Sequence, residues 1–267
     1  MSLSSEWMRL YEIANREYQK FYDREWFVRK SIPILYSGNL AEYFASSRKI
    51  VTVSLNPSCF EFREENAELP YDVKRYSRSY SGDELQRAYS SYFERRPYTG
   101  WFNSAYENIL QCLDASYYGR TYPACRKAPK AWVPRINRVL HTDLCTPLVT
   151  HPNWSRLSKS VQAELSEDGN RLWREVISLL RPDLILISVG AHYRSQIGEI
   201  EWMGVQPEGL TDEKHTLLVA NFEGALIVWG KQQVRPFFYF SRDQRRRLAE
   251  VVAARCGWAT VCCERDG

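Results

Sequence analysis

The segment Lys49-Ile50-Val51-Thr52-Val53-Ser54-Leu55-Asn56-Pro57-Ser58 runs β-branched and apolar, then stops at an Asn-Pro turn. Pro57 can neither donate a ladder hydrogen bond nor continue a central strand. The segment therefore reads as a buried parallel strand whose C-terminal end carries Asn56 into a crevice. In open α/β sheets that end is where ligands are handled.

Three later segments repeat the pattern. Arg138 to Asp143 reads as a second strand, followed by Leu144-Cys145-Thr146-Pro147. Leu184 to Val189 is a nearly continuous apolar run ending at Gly190-Ala191-His192, as expected of a strand covered on both faces. Ala225 to Trp229 ends at Gly230-Lys231-Gln232-Gln233-Val234-Arg235-Pro236. Helical spacing falls between them: from Ser5 to about Phe44 with a break at Gly38-Asn39, from Gly100 through Leu113, from about Ser166 to Leu180, and from about Ser241 to Arg255. Strands alternating with helices imply right-handed crossovers. The expected fold is α/β, a three-layer αβα sandwich around a central four-stranded parallel sheet. Residues 1–267 read as one domain, with 1–48 as a helical cover and 60–99 as a polar insertion at the mouth of the crevice.

The insertion interleaves Arg63, Lys74, Arg75, Arg78, Arg87, Arg95 and Arg96 with Tyr71, Tyr76, Tyr80, Tyr89 and Tyr92, and Ser81-Gly82-Asp83-Glu84 looks like a helix start. Such a mixture suits phosphate contact with base stacking, or else a solvated surface excursion. The chain is 267 residues long with formal net charge +4, which permits a polyanionic partner without requiring one. Its seven cysteines, including the adjacent Cys262 and Cys263, follow neither a disulfide framework nor a zinc spacing, and no C-x-x-C pair supports an iron–sulfur site. The N-terminal residues lack the order of a signal peptide, and no apolar run is long enough to cross a bilayer. The expectation is a soluble, reduced, cytoplasmic protein with no metal or cofactor and no obligate protein partner. If the sheet is parallel, Asn56, Asp143, His192 and Lys231 come from one edge of it and converge.

This pattern resembles the uracil-DNA glycosylase superfamily, in particular its single-strand-selective and related bacterial branches. The family's G-x-N-P-G segment is matched by Ser54-Leu55-Asn56-Pro57-Ser58. Its His-Asn-x-Cys-Pro-Leu-like segment is matched by His141-Thr142-Asp143-Leu144-Cys145-Thr146-Pro147-Leu148. The resemblance spans Ile50 to about Leu248 and implies a DNA partner and hydrolysis of an N-glycosidic bond, with a base swung out of the stack. Asn56 would hold the attacking water, and Pro57 and Ser58 a neighbouring phosphate. The family's base-reading Asn corresponds to Asp143 counting back from Cys145, or to Thr142 counting forward from His141. A carboxylate at Asp143 accepts hydrogen bonds only, so it suits the exocyclic amine of cytosine and not the O4 of uracil. The expectation is a modified cytosine, such as the hydroxymethylated or glucosylated base of phage DNA, in keeping with superfamily members that act against phage.

The family's His-Pro-Ser-like loop after the last strand has no histidine here. Lys231, Arg235 or His192 is left to supply positive charge to the departing base, and Gln232 or Gln233 to bond it or fill the gap in the stack. Phe60, Phe62, Trp101 and Phe102 are candidates to stack on the base, and helix and sheet packing accounts for them equally well. Arg242 and Arg245 belong to a basic cluster that either touches phosphates or faces solvent. A non-catalytic DNA sensor, a uracil-excising repair enzyme and a nucleotide hydrolase are the rival readings. Against the last, neither common Gly-rich phosphate loop is present.

Overall fold

The computed structural model describes residues 4–62, 77–94, 99–119, 135–230 and 240–259. Its centre is the strand expected from the Asn-Pro segment. β1 (Ile50–Ser54) is buried along its length to Val53 and lies between β3 (Asn137–Asp143) and β4 (Leu184–Ile187). Both neighbours run parallel to it. β7 (Ala225–Gly230) pairs parallel with the far side of β4, and the two-residue β2 (Ala115–Ser116) with the far side of β3.

The sheet is larger and more mixed than the sequence suggested. Among the described residues its seven strands take the order β2-β3-β1-β4-β7-β6-β5, in which β6 (Leu217–Phe222) and β5 (Met203–Val205) add antiparallel pairings. The β6–β7 hairpin turns on Glu223 and Gly224, both at positive φ, the backbone that a tight two-residue hairpin requires. From β1 the chain goes to β2 and β3 on one side and then back across to β4 on the other. That reversal opens a crevice at the C-terminal ends of these strands.

Helices cover the sheet. α1 (Ser5–Phe21) turns Trp7, Leu10, Tyr11, Ala14, Tyr18 and Phe21 inward at helical spacing and packs on α6 (Lys159–Leu180). α6 begins seven residues before the expected Ser166, because Ser158 caps it by accepting from the Val161 amide at 3.3 Å. Helical spacing from Ser5 to Phe44 resolves into α1, an irregular stretch, and α2 (Leu40–Ala45), capped by Asn39. The irregular stretch has its own task. Ser37 exchanges two backbone hydrogen bonds with His141 and so covers the outer edge of β3 beyond the short β2.

The tyrosine-rich insertion behaves differently from its expected role. α3 (Gly82–Ser91) starts at Ser81 as expected, with a reciprocal Ser81–Glu84 capping box. Tyr80, Tyr89 and Tyr92, however, are buried in the core and present no stacking surface. Arg87 is exposed, and Arg78 sits over the Tyr22 ring and near Asp23. Arg63, Tyr71, Lys74, Arg75, Tyr76, Arg95 and Arg96 lie outside the described residues.

Beyond the insertion, α4 (Thr99–Phe102) passes through a π-helical turn at Asn103–Glu107 into α5 (Asn108–Cys112), against which α7 (Arg242–Arg255) packs. Among the described residues no helix is long and apolar enough to cross a membrane.

One close approach ties helix to sheet. At Gly169, in the middle of α6, a Cβ would stand 1.8 Å from the Cys145 carbonyl oxygen, two residues past the end of β3. Only glycine lets the helix backbone lie that near the strand-end turn. Gly169→Ala should therefore destabilise the protein by about 3 kcal/mol, the upper part of the overpacking range, read as a lower denaturant midpoint with little change in slope.

Candidate active site

A cavity of about 690 Å³ opens where β1, β3 and β4 end. Asn56, Pro57, Ser58 and Phe60 reach it from the β1 side, Asp143 and His141 from β3, and Ser188 and His192 from beyond β4. Trp101 and Phe102 close it from α4, beside the π turn. Residues from three strand ends, separated by more than a hundred positions of chain, thus face one volume. Of the four expected convergent residues, Lys231 falls outside the described residues, as do Gln232, Gln233 and Arg235.

Register explains the floor of this cavity. β1 and β3 pair Thr52 with His141 and Ser54 with Asp143, so all four side chains rise from the same face. Thr52 Oγ1 lies 2.6 Å from the Tyr117 hydroxyl and 2.8 Å from His141 Nδ1. His141 Nε2 lies 3.1 Å from Ser54 Oγ, and Ser54 donates to Asp143 Oδ1.

Counting hydrogens orders the end of this chain nearest Asp143. Ser54 has a single proton and gives it to Asp143, so it must accept from His141 Nε2–H. In the neutral Nε2–H tautomer, His141 Nδ1 accepts from Thr52, and Thr52 accepts from Tyr117. The rings of Trp101 and Phe102 pack edge-on against the imidazole at 5.4 and 4.9 Å between centroids. Asp143, with its side chain only 4 % exposed, is thereby held in one orientation with Oδ1 engaged.

Asn56 is fixed just as firmly. Its Nδ2 donates to the Pro57 carbonyl at 3.2 Å and to Thr150 Oγ1 at 3.1 Å, and Thr150 in turn donates to the Pro152 carbonyl. With both amide hydrogens engaged, Oδ1 is the atom that the cavity meets, an acceptor suited to orienting a water. Ser58 Oγ accepts from the Phe60 amide at 3.3 Å, which keeps its hydroxyl proton for another partner.

Four expected site residues, Thr142, Phe62, Arg242 and Arg245, lie away from the cavity. Thr142 lies between His141 and Asp143, and alternation turns it to the opposite face. There it is buried, with its hydroxyl receiving the Trp173 indole N–H at 3.1 Å from α6. Asp143, not Thr142, is the β3 residue that faces the cavity. Phe62 is fully buried in the core beneath the turn that presents Phe60, and does not line the cavity. Arg242 and Arg245 open α7 outside the cavity wall, and Arg245 Nε donates to the Phe240 carbonyl. His192 is exposed at the lip, its ring 3.9 Å from that of Tyr193. Cys145, in the matched motif, is buried, which pushes its thiol up to about 12 and keeps it an inert thiol.

The cavity also contains residues that sequence reasoning left without a role. Lys159 stands at the mouth, on the first turn of α6, and bonds Gln162 at 3.1 Å. Trp154 lines the wall and donates to the Tyr193 hydroxyl at 2.6 Å. Glu61 is the most consequential. It belongs to the 3-10 turn Cys59–Phe62, is buried, and accepts from the Tyr92 hydroxyl. Burial foremost, and the neighbouring Asp143 charge as well, push its carboxyl up to about 8, against a weaker opposing effect of the Tyr92 bond. The surrounding Cys59-Phe60-Glu61-Phe62 gave one signal, an acidic residue between two aromatics beside a strand end. Among the described residues no group of three or more His, Cys, Asp and Glu side chains is placed to hold a metal ion.

No family model matches this chain, and no curated protein matches it.

Glu61 gives a stability prediction. Folded protein retains a proton that the unfolded chain releases above pH 4.5, so this group makes stability fall as pH rises from 4.5 to about 8. The slope is at most about 1.4 kcal/mol per pH unit. Urea titrations across that window should show the decline in the parent and a flatter dependence in Glu61→Gln.

Proposed function

We propose that this protein is a DNA glycosylase that hydrolyses the N-glycosidic bond of a flipped-out base, with a modified cytosine as the preferred target. The observation that carries the reading is the meeting of Asn56 and Asp143 in one aromatic-walled cavity at the reversal point of a largely parallel sheet. Its volume of about 690 Å³ is within the range that buries a small organic ligand. The resemblance of the segments around Asn56 and Asp143 to the uracil-DNA glycosylase superfamily, and with it a glycosylase-like αβα fold, points the same way.

The chemistry follows from the groups present. Cleavage passes through an oxocarbenium-like state in which positive charge builds on the sugar while water enters. Asn56 Oδ1 holds that water and turns a negative dipole toward the developing charge. An amide is not a base at neutral pH, so its contribution is orientation and electrostatics. Asp143 accepts a hydrogen bond from the exocyclic amine of the base, and the Ser54–His141 chain keeps it pointed there. Phe60, Trp101 and Phe102 supply ring surface for the base. Ser58 and Lys159 contact flanking phosphate. His192 at the lip, or Lys231 one position beyond β7, supplies positive charge to the departing base.

The test is release of free base, followed by mass spectrometry, from single- and double-stranded DNA containing uracil, cytosine or glucosylated hydroxymethylcytosine. Modified cytosine should be released and an abasic site left, with Asn56→Ala slower by about a hundredfold or more. Asp143→Asn should lower release of the cytosine-type base by about tenfold to a hundredfold and raise release of uracil, since an amide can donate to O4. Uracil release by the parent without modified-cytosine release would overturn the specificity. DNA binding with no abasic product from any of these DNAs would overturn the enzyme.

A further inference from the structure

The 3-10 turn Ala191–Gln196 follows β4 and forms part of the cavity rim, since His192 and Tyr193 line the cavity. Arg194, the next residue, stands just outside. Its guanidinium carbon lies over the Trp229 ring, 4.5 Å from the centroid, and over the Trp202 ring at 5.7 Å. Trp229 belongs to β7 and pairs with Ile187 of β4, so Arg194 occupies the β4–β7 side of the opening. Ser58 stands on the other side of β4, beyond the end of β1.

The donors of Arg194 are only partly used. Nε donates to the Ala191 carbonyl at 3.4 Å. Among the described residues Nη1 and Nη2 have no hydrogen-bond or ion-pair partner, and the residue is half-buried. Glu199 and Glu201 are exposed on the segment that follows, yet neither forms an ion pair with it. The turn does not need this charge to hold its place. Trp229 Nε1 donates to the Val189 carbonyl at 2.7 Å, Trp154 donates to the Tyr193 hydroxyl, and Tyr193 and Ile197 are buried. Indole faces attract a guanidinium and restrict it without neutralising it. What remains is a planar, permanently charged fork with two uncommitted amino groups, a shape that matches two oxygens of a phosphate.

We propose that Arg194 is a phosphate-binding residue that grips the backbone of the target DNA strand, so that the strand crosses the cavity mouth between Ser58 and Arg194. This inference rests on the glycosylase reading and assigns the path of the strand over that same site. The tryptophan rings order the side chain in advance, so little rotamer freedom is lost when phosphate binds. A phosphate contact fixes position and carries no sequence information, so it strengthens binding whatever the neighbouring bases are.

The experiment measures binding of a single-stranded oligonucleotide carrying glucosylated hydroxymethylcytosine, by fluorescence anisotropy at several salt concentrations. Parental Arg194, Arg194→Gln and Arg194→Lys are compared, each in an Asn56→Ala background so that the DNA is not consumed. Arg194→Gln should bind about three- to tenfold more weakly, and its slope of log affinity against log salt should be shallower by about 0.7, the share of one phosphate on a single strand. Arg194→Lys should keep the parental slope but bind more weakly, because the charge stays and the fork is lost. Replacing the phosphates one at a time by uncharged methylphosphonates then locates the contact. One linkage beside the target nucleotide should weaken binding to parental Arg194 and not to Arg194→Gln. A parental slope in Arg194→Gln, or identical methylphosphonate losses in the two proteins at every linkage, overturns the proposal. So does a lower denaturant midpoint in Arg194→Gln with DNA binding unchanged, which would make Arg194 a structural pin. None of these results touches the glycosylase reading, which base release by the parent decides separately.

Discussion

The alignment of β1 with β3 is the constraint on which the site depends. Ser54 stands beside Asp143 and Thr52 beside His141 because the two strands run parallel in that register. A shift of one residue would turn Asp143 away and bring Thr142 to the cavity in its place. The register is itself overdetermined. β1 is clamped on its other side by β4, and the outer edge of β3 is held at His141 by the Ser37 backbone. The apolar residues Ile50, Val51, Val53, Leu140 and Leu184 to Ile187 are buried in that alignment, and a slip of one residue would turn each strand's buried set over.

Within that frame the polar groups form a circuit with few choices. Tyr117, Thr52, His141 and Ser54 link in sequence to Asp143, and Asn56 has both amide hydrogens committed to Pro57 and Thr150. Buried networks of this kind are favourable only when every member is satisfied, and then they hold each group in a single orientation. Here the outcome is a cavity that presents oxygen acceptors at Asn56 and Asp143 while ring edges from Trp101 and Phe102 hold the imidazole between them.

Much of this was readable before any coordinates. The apolar run to Ser54 and the Asn-Pro stop define a central strand, and strand ends at Asp143 and His192 face the same cavity as Asn56 because parallel topology leaves no other edge for them. What was not readable has identifiable causes. Thr142 and Asp143 are adjacent in sequence, and only strand parity separates the buried one from the one in the cavity. The tyrosines of α3 and the turn after it look like a polar surface by composition, yet their hydroxyls are satisfied inside: Tyr89 by the Pro33 carbonyl and Tyr92 by Glu61. Glu61 takes its character from surroundings supplied by distant segments, and no local pattern announces a carboxyl that is buried beside another. β5 was missed because Met203–Val205 is too short to show a period.

The glycine in the middle of α6 has a mechanical side. Lys159, at the start of that helix, stands at the cavity mouth, and Gly169, ten residues on, rests directly on the Cys145 carbonyl behind the floor. Ten helical residues span about 15 Å of nearly incompressible backbone. The helix is thus a strut between lip and base. One helix therefore sets both the position of Lys159 at the opening and the position of the turn beneath Asp143.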